Sequence, residues 1–171
     1  MTGAIRVVMA AVVLGLLGSG EAAPALAGAE APWTPAIRQV DGALSRREYM
    51  AALRAANDAY ALAQATPRWD GMVAVGDAYR RIGEVTGLRQ SFDLKAREAY
   101  QHALFRARQH ASVEGVLRAT EGYAALGDGA MVAQGLRIAE RLAGSNAEAQ
   151  AEVKLFRTRV GDPALAGAVR R

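Results

Sequence analysis

From Trp33 onward, apolar residues recur every three or four positions, the period of an amphipathic helix. No run keeps the two-residue alternation of a half-buried strand, and no Asn-Gly hairpin signal occurs. Helix-start signals are frequent. Thr34-Pro35 and Thr66-Pro67 each place a capping residue before a proline suited to the first helical position. Ser45-Arg-Arg-Glu48 and Ser145-Asn-Ala-Glu148 match the capping box, while Ser91, Ser112 and Asp128 each precede an amphipathic run. The pattern predicts an all-α chain of seven helices over about 35–43, 46–64, 67–84, 92–109, 113–126, 129–143 and 146–159. Short connections predict antiparallel neighbours, with a longer, basic-tipped loop expected only at Glu84 to Gln90.

The helices repeat one another. Aligned from Ala52, Ala96 and Val132, the second, fourth and sixth carry small residues at the same three places. These are Ala55, Ala99 and Gly135, then Ala59, Ala103 and Ala139, then Ala63, Ala107 and Ala143. Spacings of three and four keep them on one helix face, where small side chains let neighbouring backbones approach. The third and fifth helices also agree, sharing Tyr79 with Tyr123, Ile82 with Leu126, and Gly83 with Gly127. A glycine there is expected to end each helix in the left-handed conformation that costs other residues more.

A helix, a Tyr-x-x-Leu-Gly-Asp turn and a helix with small residues at fixed places resemble the tetratricopeptide repeat, a helical hairpin. In the third unit the matching positions are Tyr123, Leu126, Gly127, Asp128, Val132, Leu136 and Ala139. The second unit matches at Gly76, Tyr79, Ala96, Tyr100 and Ala103, with eight extra residues between its helices. The first matches mainly in its second helix, at Tyr49, Ala52, Ala56 and Ala59. The resemblance implies a short right-handed solenoid of three stacked hairpins with a C-terminal capping helix. An alanine-rich helical bundle is the alternative.

Residues 1–27 stand apart from this pattern. The uncharged run from Val7 to Gly20 has an apolar core as long as a signal-peptide h-region, and Ala25-Leu26-Ala27 offers a small-x-small cleavage pattern. We therefore expect export to the periplasm or beyond, with cleavage after Ala27, or after Ala23, and no stable membrane span in the cleaved chain; an uncleaved N-terminal anchor is the alternative. Residues 28–160 are then one helical domain and 161–171 a short tail. The chain has no cysteine, which excludes disulfides, thiolate metal sites and a lipid-modified N-terminal cysteine. Its net charge of +4 is concentrated between Arg80 and Arg108. Export and the interspersed acids argue for a solvated helix face and against nucleic acid.

No catalytic constellation emerges. The two histidines, His102 and His110, lack the i, i+4 spacing of a helical metal site. The serines outside the leader all stand at expected helix starts, leaving no nucleophile. Asp70 with Asp77, and Glu114 with Glu121, share helix faces without surroundings suited to paired-carboxylate chemistry. We expect neither an enzyme nor a cofactor.

The resemblance implies that the first helix of each hairpin lines a concave partner-binding face. Carried over, that lining is Asp70, Val73, Asp77, Arg80 and Arg81 in the second unit, with Glu114, Leu117, Glu121 and Ala124 in the third. Family members that hold a peptide's C-terminal carboxylate use asparagine where Val73 and Leu117 stand, so a protein or peptide segment with basic and apolar residues is the expected partner. Two other readings stay open. One is a homo-oligomeric module, since stacked repeats leave two open ends; the other is a small helical enzyme using Asp or Glu.

Overall fold

In a computed structural model, the structure describes residues 30–161; the expected leader, and the tail beyond Gly161, lie outside them. Among the described residues seven helices run in order: α1 Thr34–Ser45, α2 Tyr49–Gln64, α3 Asp70–Thr86, α4 Arg89–Gln109, α5 Val113–Ala125, α6 Gly129–Ala143 and α7 Ala147–Val160. There is no strand among the described residues. Each helix packs on the next, and the odd-numbered helices also touch in series, α1 with α3, α3 with α5 and α5 with α7. Each even-numbered helix packs against the odd-numbered helices before and after it. Their shared small positions, from Ala55 to Ala143, are all buried in one continuous core.

Several helix starts differ from expectation. Ser112 and Asp128 do cap α5 and α6, accepting from the N–H groups of Gly115 (3.0 Å) and Met131 (3.1 Å). The capping box at Ser45 does not form. α1 runs on through Ser45, whose Oγ donates to the Gly42 carbonyl at 2.8 Å, and Glu48 pairs instead with Arg46. Asn146, one residue after Ser145, caps α7 by accepting from the N–H groups of Glu148 and Ala149. Ser91 sits inside α4, and Thr66 donates to the Ala63 carbonyl behind it, so that α3 starts only at Asp70. At Ser45 and Thr66 a backbone carbonyl one turn back outcompeted the expected forward N–H for a short hydroxyl.

The expected long loop is also absent. Only Gly87 and Leu88 separate α3 from α4, and the eight extra residues lengthen both helices instead. α3 and α4 have 17 and 21 residues, against 13 and 15 in α5 and α6, so the insertion adds at least one turn to each. Gly83 consequently does not end α3. It is buried within the helix against Phe92, and the left-handed stop moves to Gly87 at φ +75°. Gly127 keeps the expected role at φ +70°.

Candidate functional site

The odd helices are held in register by aromatic side chains set against glycines. Gly71 of α3 faces both Trp33, just before α1, and Ala63 of α2; a Cβ on Gly71 would come within 2.9 Å of each. Gly115 of α5 repeats the arrangement against Trp69, just before α3, and Ala107 of α4, which a Cβ on Gly115 would approach to 2.7 and 2.8 Å. Tyr100 of α4 wedges between Gly76 of α3 and Gly122 of α5, and a Cβ on either would approach its ring to 2.4 Å. Only glycine admits these approaches. The Tyr100 hydroxyl donates to Asp77 Oδ1 at 2.7 Å, and burial first, then the Asp77 carboxylate, push its pKa up.

This wedge opens a groove between α3 and α5 of about 320 Å³. Val73, Gly122 and Ala125 line it together with the charged residues Asp77, Arg80, Arg118 and Glu121. The charges are internally matched. Arg80 reaches Glu84 at 2.6 Å, Arg118 pairs with Glu121, and Arg159 of α7 approaches Glu121 at 3.6 Å. A narrower cleft of about 100 Å³ continues between α5 and α7, where Glu114, Leu117 and Glu121 face Glu152, Leu155, Phe156 and Arg159.

Of the nine residues expected to line a binding face, the structure brings Val73, Asp77, Arg80 and Glu121 together in the groove, with Glu114 and Leu117 in the adjoining cleft. Asp70 stands elsewhere, paired with Arg68 and accepting from the Gly71 N–H, beside Trp69 and His110. Arg81 turns the other way and bridges to Asp41 of α1 at 3.1 Å. Ala124 is half-buried against the core and lines neither opening. Val73 and Leu117, expected as apolar contacts, are each only 5% exposed and form the floor.

The sequence reading missed Arg118, Gly122 and Ala125. The i, i+4 and i, i+3 spacing of Arg118 from Glu114 and Glu121 was the available signal. It also missed Leu155, which is 63% exposed, because α7 was read only as a cap.

The repeat positions Tyr79, Ala96, Tyr100, Ala103, Tyr123, Val132, Leu136 and Ala139 are all buried. Tyr79 donates to Asn57 Oδ1 at 2.8 Å, stacks near Phe92 and lies under the Lys95 ammonium. Burial, with Tyr60 and Glu98 adding smaller effects, pushes its pKa up to about 12; burial does the same for Tyr123. His102 meets the edge of Tyr60, with ring centroids 6.4 Å apart, so the two histidines occupy separate surroundings. One arginine has a role the sequence did not signal. Arg106 of α4 donates to the carbonyls of Ala63, Gln64 and Arg68, capping the C-terminal end of α2 and the turn beyond it.

No family model, curated protein or solved structure matches this chain. Its class is therefore defined by its own geometry: the described residues are all-α, and successive hairpins repeat the same aromatic-on-glycine contacts. No helix among the described residues is long and apolar enough to cross a membrane.

Proposed function

We propose that the chain is an exported, non-catalytic binding module of the cell envelope. In this reading its hairpins stack as a right-handed solenoid of tetratricopeptide type, and the row of odd helices is the concave face that holds a protein segment. The observation that carries this reading is the α3–α5 groove, where four charged side chains surround an apolar floor of small residues. Such a lining suits an extended segment whose basic groups replace Arg118 on Glu121 and approach Asp77, and whose apolar groups rest on Val73 and Ala125. Exposed ion pairs are worth about 0–1 kcal/mol each, so exchanging them costs little.

Site-specific photocrosslinking of the full chain in envelope extract tests the assignment. A probe at Ala125 in the groove should capture a discrete partner, and one at Leu94, exposed on α4, should not. The swap Arg118→Glu/Glu121→Arg keeps the pair and the exposed surface, and should abolish capture at Ala125. Equal capture from both probes, or capture indifferent to the swap, would remove the groove from consideration. Arginine at Val73 or Leu117 is a poorer probe, because burying a guanidinium there would unfold the chain.

A further inference from the structure

The α3–α4 hairpin carries residues at its tip that the neighbouring hairpins lack. α3 after Gly83 and α4 before Ala96 have no full counterpart in α5–α6, where Gly127 and Val132 hold the matching places, or in α1–α2, where Arg47 and Ala52 do. The eight added residues carry this hairpin about one helical turn past the turns on either side. The projection is firmly built. Phe92 is buried against Gly83 and stacks near Tyr79, Thr86 donates to the Ile82 carbonyl at 2.7 Å, and Gly87 turns the chain in the left-handed region.

Arg81 of α3 bridges to Asp41 of α1, and Arg97 of α4 pairs with Asp128 of α6, so the three hairpin turns share one end of the stack. Apolar surface is exposed at that end. Val85, Leu88 and Leu94 of the projecting segment are 51, 59 and 65% exposed, and the exposed Tyr49 and Met50 stand in the first turn of α2. Five of the eight large apolar side chains exposed among the described residues therefore gather here, unlike the scattered single residues of an ordinary surface.

The charges beside this surface are unequal. Glu48, Glu84 and Asp128 are each paired with an arginine, namely Arg46, Arg80 and Arg97. Arg47, Arg89 and Lys95 make no ion pair among the described residues, and Asp93 is the one acid of the projecting segment likewise left without one. A projecting tip is convex. A bilayer interface yields to such a shape, whereas a protein surface must be built to match it.

We infer that this end of the stack docks on an anionic membrane surface. Val85 and Leu88 enter the headgroup region, and Arg47, Arg89 and Lys95 meet lipid phosphates. The contact is independent of what occupies the α3–α5 groove.

The chain has no cysteine, so one introduced thiol is a unique labelling site. A bimane label on Leu88→Cys, at the tip, is compared with one on Gln109→Cys, exposed at the other end of α4 about 30 Å away. Each labelled full chain is mixed with phosphatidylglycerol–phosphatidylcholine vesicles carrying a nitroxide-lipid quencher. We expect loss of fluorescence at Leu88 and none at Gln109, with less loss on phosphatidylcholine alone or at high salt. Arg47→Glu/Arg89→Glu should raise the lipid needed for half the loss by about tenfold or more. Val85→Glu/Leu94→Glu should abolish the loss, and melting curves check that both variants stay folded, since all four positions are exposed. Equal loss at both labels, or none at Leu88, overturns the inference; binding through the apolar N-terminal run alone gives one of these. So does loss at Leu88 that ignores the substitutions. A Leu88 label that answers only to lipid-free envelope protein overturns it as well and assigns the tip to a protein partner.

Discussion

The junction between α2 and α3 and the junction between α4 and α5 solve one packing problem with different residues. At the second, Tyr100 fills the space between Gly76 and Gly122. At the first, the corresponding residues are Ala56, Val40 and Ala78, each fully buried. Bulk supplied by one large ring in the second junction is spread over three smaller side chains in the first. The tryptophan contacts, by contrast, are the same in both, with Gly71 facing Trp33 and Ala63, and Gly115 facing Trp69 and Ala107. The lesson is that the repeat preserves filled volume at each junction and lets the identity of the filling residue change.

Removing a tryptophan should have the largest effect. Trp33 is almost wholly buried and Trp69 is partly exposed. We expect Trp33→Ala to cost about 3–5 kcal/mol, with Trp69→Ala nearer the lower end, in urea denaturation of the full chain. A reversed order would mean that the N-terminal junction contributes less than its burial implies.

Arg106 separates the junctions further, because the position matching it one repeat later is Leu142. Arg106→Met should cost about 1–3 kcal/mol by leaving the α2 carbonyls without their donor, whereas Leu142→Met should be close to neutral. Similar losses at both sites would show that the arginine acts by packing alone.

The smallest effect is confined to alkaline pH. Tyr79 and Tyr123 occupy matching places on α3 and α5, and each has its pKa raised from 10.0 to about 12. A raised pKa means that the folded chain holds the proton more tightly. This stabilisation is therefore complete below pH 10 and is lost as pH climbs toward 12. Urea midpoints followed with tyrosinate absorbance should be independent of these groups near neutrality and fall across that window. A Tyr79→Phe/Tyr123→Phe variant should fall less. An identical fall in the variant would assign the alkaline loss to other groups.

Much of this architecture was legible in the sequence. Seven helices were readable because five carry a clear 3.6-residue pattern, weak only in α4 and α7, and the aligned alanines marked a buried face. Unequal offsets of 44 and 36 residues concealed the regularity. The tryptophans resolve it: Trp33 and Trp69 lie 36 apart, while Gly71 and Gly115 lie 44 apart. A single period of 36 with eight residues inserted inside the α3–α4 hairpin accounts for both values.

That insertion was misread as a loop because Gly83 and Gly87 both look like helix stops, and only contact with Phe92 decides between them. The groove was half legible. Spacing placed Asp77, Arg80 and Glu121 on the right helices, but the rotation of Arg81 toward Asp41 and the burial of Val73 and Leu117 depend on neighbouring helices that periodicity does not locate.

The volume exchange between the two junctions is tested most directly by a double-mutant cycle at Tyr100 and Gly122. Gly122→Ala alone should force its methyl against the Tyr100 ring and cost about 1–3 kcal/mol; Tyr100→Ala alone should leave a cavity and cost about 3–5 kcal/mol. The double variant reproduces the Ala56 and Ala78 pair of the first junction. We expect it to be less destabilised than the two single changes together by about 1–3 kcal/mol. Costs that simply add would contradict the exchange, and with it the view that both junctions are copies of one arrangement.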